Sequence, residues 1–175
     1  MSFLSDYSFW AFIFRWLHVI SGVMWIGHLW YFNFTQAPTM PKIPTELRPA
    51  VTRHILPEAL FWFRWGAMAT IVTGLITAHL FGELWPAIKL GFGEATPHQH
   101  FTAIGIGMWL GTIMWFNVWF IIWPNQKKVL GITAASDDEK KVAARTASLT
   151  SRLNTLLAFP MLYCMTAVHF YPMGA

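Results

Sequence analysis

Four long apolar runs govern what this chain can fold into, and they cover about residues 9–34, 59–81, 101–123 and 153–171. A hydrocarbon core of about 30 Å takes about 20 residues of helix to cross, and each run has roughly that length. Backbone N–H and C=O groups find no water inside lipid, so each run is predicted to be α-helical. Composition agrees, because 55% of the 175 residues are hydrophobic and only 11% are charged, against about 25% charged in soluble domains. A soluble chain of this size could not bury so much apolar surface and still present a wetted exterior. A soluble enzyme and a disordered tail are thereby excluded. The single Cys164 excludes a disulfide-built secreted module, and no C-x-x-C-H is present for covalent haem attachment. The expected fold is all-α and integral to the membrane: one domain over residues 1–175, built as a four-transmembrane-helix bundle.

Charge sets the expected orientation. Lys42, Arg48 and Arg53 lie between the first two runs, and Lys127, Lys128, Lys140, Lys141, Arg145 and Arg152 between the last two. The middle loop, about residues 82–100, holds Lys89 with Glu83 and Glu94. Lys and Arg favour the cytoplasmic side, so both termini and the middle loop are expected on the outer, periplasmic side of a bacterial inner membrane. The net charge of +4 is therefore read as a topology signal and not as a nucleic-acid surface. The first run carries Arg15 and two histidines and has no small-residue cleavage site, so it reads as a retained span. Pro38, Pro41, Pro44, Pro57, Pro86 and Pro124 fall at the expected boundaries. Residues 134–150 have helix-forming composition and are expected to extend the fourth span into the cytoplasm.

Ionisable groups inside spans are costly and point to function. On this topology His18, His79, His98, His100 and His169 all map to the outer half or outer edge, from four different helices, while His28 and His54 fall elsewhere. Imidazole is a common axial ligand of haem iron, and helix bundles hold cofactors with side chains from facing helices. His18 and His169 are the leading ligand candidates, with His100 and His79 as competing or additional ones. Arg15, about one turn outside His18, would meet a haem propionate. His100, Ala103, Gly107 and Gly111 fall along one stripe at about 100° per residue, where Gly107 and Gly111 could admit a macrocycle. The same stripe also serves ordinary helix–helix packing. The polar stripe of the second run is Thr70, Thr73, Gly74 and Thr77, and His79 points away from it. Arg64 is expected to snorkel to the inner headgroups. A copper or zinc site built from the same imidazoles is an alternative. No H-E-x-x-H, phosphate loop or nucleophile elbow is present.

Three motifs, taken together, carry a family resemblance. They are Arg15-Trp16-Leu17-His18-Val19-Ile20-Ser21-Gly22 followed by Trp25-Ile26-Gly27; Gly111-Thr112-Ile113-Met114 with Asn117-Val118-Trp119-Phe120 and Pro124-Asn125-Gln126-Lys127-Lys128; and Arg152 and Asn154 leading to Leu157-Ala158-Phe159-Pro160-Met161 and His169-Phe170-Tyr171-Pro172. In this order they resemble the N-terminal membrane domain of the bacterial membrane-bound urate oxidase (urate hydroxylase) family. The resemblance implies a redox role, since full-length members join a longer multi-span domain to a cytochrome c domain. This chain reads as a short form without the cytochrome c domain. His18 and His169 carry over directly. The family's histidine before Gly-Thr-Ile-Met falls at Gly105 here, and His100 lies five residues earlier, about 140° round an ideal helix.

The functional expectation is a membrane-embedded protein that binds haem b near the outer face. It would pass electrons between quinol, a cytochrome c or a partner oxidoreductase. Two alternatives stand beside it: a membrane oxidase of urate or a related small substrate, and a non-catalytic accessory subunit of a larger respiratory or photosynthetic complex. Association of two copies is compatible with each.

Overall fold

The structure is a computed structural model and describes residues 6–93 and 99–170. It is helical, with no strand among the described residues. Four long helices dominate: α1 (Tyr7–Lys42), α2 (Arg48–Leu80), α4 (Gln99–Val129) and α5 (Asp137–Phe170), with a short α3 (Leu84–Ile88) between α2 and α4. Three of them, α1, α2 and α4, are long and apolar enough to cross a membrane. In α5 the first half is polar and the apolar half begins near Leu153, so a fourth crossing rests on its last part. The end of the fourth expected run, Tyr171, lies outside the described residues.

The helices run well past the apolar segments. At 36 and 33 residues, α1 and α2 exceed the span of a ~30 Å hydrocarbon core. The expected loop between them, centred on three prolines, shrinks to residues 43–47, where Arg48 donates from Nε to the Ile43 carbonyl and from Nη2 to the Pro41 carbonyl. Pro38, Pro57 and Pro124 do not break their helices. Each follows a π-helical stretch, Tyr31–Gln36, Val51–Ile55 and Asn117–Ile122 respectively. In each case the residue before the proline bonds five residues back: Ala37 to the Phe32 carbonyl, Leu56 to Val51 and Trp123 to Val118. A proline lacks the N–H for an i−4 bond and its ring collides with that carbonyl. Widening the preceding turn by one residue moves the carbonyl aside, which keeps the helix continuous.

Two close antiparallel pairs result, α1 with α2 and α4 with α5. In the first, Gly66, Thr70 and Gly74 lie four residues apart on α2 and receive Trp25, Gly22 and His18 of α1. Small residues at this spacing let backbones approach closely. In the second, Gly107 faces Met165 and Cys164, and Asn117 donates to Asn154, which donates in turn to the Met114 carbonyl. The two pairs share one core, drawn from Trp25, Ile26 and Leu29 of α1, Leu60, Phe63 and Ala67 of α2, Met114, Val118 and Ile122 of α4, and Ala158 and Met161 of α5. The stretch read as an extension of the fourth run is continuous with it in α5. It opens with a capping box in which the Ser136 amide donates to the Glu139 carboxylate and the Glu139 amide to Ser136 Oγ.

Candidate functional site

The end of the molecule that holds the outer histidines is built from the first half of α1, the last half of α2, α3 and the start of α4. His18 lies on α1 against α2, flat on Gly74, where a Cβ would stand 2.8 Å from its Cε1. Its Nδ1 is 2.9 Å from the Thr70 carbonyl oxygen and 3.5 Å from Thr73 Oγ1. A carbonyl oxygen only accepts, so Nδ1 carries the hydrogen and the neutral ring keeps its lone pair on Nε2. Thr70 is itself tied back, its hydroxyl donating to the Gly66 carbonyl at 2.7 Å. Ser21, one turn along, donates to the Leu17 carbonyl at 2.8 Å. The predicted polar stripe of α2 is thus the bed on which His18 rests.

The other candidates separate. His100 has its Nε2 2.8 Å from the Glu83 carboxylate, in a cleft lined by Phe81, Gly82, Glu83, His100 and Phe101. His79 is exposed at the last turn of α2. Arg15 lies with Cζ 4.3 Å from the centre of the Phe81 ring, and Tyr7 Oη donates to the Leu80 carbonyl nearby. The His169 side chain lies outside the described residues, as does His98. The level of position 169 on α5 follows from the helix register. Trp30 of α1 stacks on Phe159 of α5 at 5.9 Å, and Asn33 donates to Ser151 Oγ. Counting outward from the stacked pair at about 1.5 Å per residue, position 18 lies about 18 Å along α1 and position 169 about 15 Å along α5. Positions 18 and 169 therefore share one level.

The two glycines expected to admit a macrocycle differ. At Gly107 a Cβ would stand 2.9 Å from Met165 Cε and 3.3 Å from Cys164 Cβ, so side chains of α5 already fill that space. Gly111 is buried, yet a Cβ there would meet nothing within 4 Å. Room is left beside Gly111. At Gly105 a Cβ would overlap the carbonyl oxygen of Ala87 and stand 2.8 Å from Leu90 Cδ2. The middle loop folds down on α4 there, held by Thr102 Oγ1 donating to Leu90 and Trp109 Nε1 to Ile88. No histidine fits at position 105 in this arrangement.

Among the described residues, no three of His, Cys, Asp and Glu come together as a bare metal ion would need. A single axial imidazole asks less, and the proton placement of His18 suits it, because ligating histidines usually donate their other N–H to a carbonyl or carboxylate. Sequence reasoning did not single out Glu83 or the Thr70 carbonyl. Glu83 was visible only as one of two acids in the middle loop, and a backbone carbonyl leaves no mark in a sequence.

These features define a protein that is helical throughout the described residues, with three apolar helices of membrane-crossing length and a group of polar side chains, His18, Glu83 and His100 among them, toward one end. Residues 95–174 match the family described as urate oxidase N-terminal. The match takes in two of the three motifs that carried the resemblance, those on α4 and α5, while the α1 motif around His18 precedes it. No curated protein and no solved structure matches the chain.

Proposed function

We propose that this chain is a membrane-embedded redox domain that holds haem b near one membrane face between His18 and His169. Electrons would pass between quinol in the bilayer, a cytochrome c or a partner oxidoreductase, and a bacterial inner membrane is the setting. The observation that carries the reading is the Nδ1 hydrogen bond of His18 to the Thr70 carbonyl, which leaves Nε2 as a free donor to a metal. Position 169 shares that level, while the space beside Gly111 lies about 12 Å deeper, since Gly107 already faces Met165. Bound haem would supply one-electron chemistry at a potential tuned by its ligands and by burial. The protein's own residues would do the rest. Thr70 fixes the ring's tautomer and direction, Gly74 gives it a flat seat, and Arg15, with no carboxylate partner among the described residues, would attract the propionates. A reduced-minus-oxidised spectrum of purified protein tests this. Wild type should show b-type bands, His18→Ala and His169→Ala should lose them, and His79→Ala should keep them. No bands in wild type expressed with ample haem would remove the cofactor from the account. Bands retained in both ligand variants would remove these ligands.

A second reading is supported by the family match and by the cleft around His100. There the chain would act as an oxidase of urate or a related small substrate. Glu83 accepts from His100 Nε2, which leaves Nδ1 basic and able to take a proton from a bound acid. Phe81 and Phe101 offer walls for a planar ring, and Arg15 supplies positive charge on the Phe81 side. Urate-dependent reduction of the protein that is lost in His100→Gln, with cofactor content unchanged, would favour this reading.

A further inference from the structure

Arg64 sits inside the apolar run of α2 but reaches toward the opposite end from His18. Its Cζ lies 3.6 Å from the centre of the Trp123 ring and 5.5 Å from that of Trp119. Trp123 ends the apolar run of α4, and Lys127 and Lys128 follow one turn later. The two tryptophans stand four residues apart and so share a face of α4, which lets both contact one guanidinium. Ring faces attract the cation, but they satisfy no N–H. Nε and Nη1 of Arg64 and Nε1 of Trp119 are buried without an acceptor. The nearest acid in sequence, Glu58, is held by Trp62 Nε1 at 3.0 Å. Asp137 and Asp138 pair with Lys140 and Lys141, and Glu139 takes the Ser136 amide. Among the described residues this cation has no counter-charge.

An intramembrane cation without a partner points to a ligand that brings one. We propose that Arg64, Trp119 and Trp123 form a binding site for the phosphodiester of an anionic phospholipid. The chemistry fits: Nη2, the guanidinium nitrogen left outside the buried pair, is a charge-assisted donor to a phosphate oxygen, and tryptophan and lysine mark the headgroup level. Beside the site Trp65 meets Trp119 edge-on at 5.4 Å and Phe61 lies 6.4 Å from Trp65, both exposed apolar side chains, a surface for the acyl chains of the same lipid and not for a hydrated free anion. This inference needs only the membrane setting, not the haem.

The test uses the full chain in nanodiscs of phosphatidylcholine alone or with phosphatidylglycerol, with thermal melting and native mass spectrometry as readouts. Wild type should melt several degrees higher with phosphatidylglycerol and retain one or two bound molecules on gentle activation. Arg64→Gln should lose both effects. Arg64→Lys, which keeps the charge but not the planar stack on Trp123, should retain a reduced shift. A Lys127→Ala and Lys128→Ala double variant should keep the retained lipid, which separates this site from general basic attraction. An equal phosphatidylglycerol shift in Arg64→Gln, or none in wild type, overturns the proposal. So does a shift reproduced by inorganic phosphate in phosphatidylcholine, which would make the ligand a free anion.

Discussion

A methyl group added at Gly74 would stand 2.8 Å from Cε1 and 3.0 Å from Nδ1 of His18, closer than real Cβ contacts allow. The imidazole must then leave the Thr70 carbonyl or α1 must shift from α2. At Gly22, on the same interface, an added Cβ would meet Thr70 Cγ2 at 4.0 Å, an ordinary contact. Gly74→Ala is therefore expected to shift or bleach any haem spectrum carried by His18, while Gly22→Ala leaves it intact. Similar spectra from both variants would separate His18 from the cofactor. Asn154 presents a second case. It is fully buried, accepts from Asn117 at 2.8 Å and donates to the Met114 carbonyl at 3.0 Å. Asn154→Ala strands the Asn117 amide and is expected to cost about 1–3 kcal/mol of stability, as unsatisfied buried groups do. Asn117→Leu with Asn154→Leu removes both polar ends and should recover part of that loss in a double-mutant cycle by reversible detergent unfolding.

At the scale of the element, α5 begins in water and ends among apolar side chains, and its start depends on the Ser136–Glu139 box. The amide and hydroxyl of Ser136 hold the Glu139 carboxyl below the usual glutamate range, with a small contribution from Lys128. A carboxyl lowered in the folded state contributes stability that is fully present above its unfolded pKa. That contribution is lost as pH falls through the lowered folded value. Helicity of the 136–150 stretch should therefore fray on acidification into that range. Glu139→Gln should flatten the acid response, as followed by hydrogen exchange of the first amides of α5. The helices themselves were legible in the sequence, because 20-residue apolar runs admit little else in lipid. Their ends were not. Pro38, Pro57 and Pro124 read as breaks, and nothing in residue type alone foretells a wide turn that lets a helix pass through a proline. The site was legible in part. His18 stood out as an ionisable residue inside a span, whereas the Glu83 partner of His100 depends on how the middle loop folds back onto α4. That fold-back also accounts for Gly105, where an added Cβ would overlap the Ala87 carbonyl oxygen.

For the whole molecule, the distribution of the core sets how far the halves can be separated. The family match covers α4 and α5, yet neither helix pair carries a core of its own. Trp25, Leu29 and Phe63 from the first pair pack in one cluster with Met114, Val118 and Met161 from the second. Split apart, each pair would turn those side chains toward lipid. That costs little hydrophobic energy in a bilayer, where packing and interhelical hydrogen bonds hold helices together instead. The contacts that would be lost are specific: the Trp30–Phe159 stack, the Asn33–Ser151 hydrogen bond and the Arg64 stack on Trp123. Residues 1–93 and 94–175, expressed as two chains, are therefore expected to insert separately and co-purify through a tag on either. Asn33→Ala with Phe159→Ala should weaken that recovery several-fold. The His18 site lies at the level of position 169, across the same seam. Reassembled halves should then bind haem where neither half alone does. Haem retained by residues 1–93 alone would place both ligands in the α1–α2 pair and exclude α5 from the site.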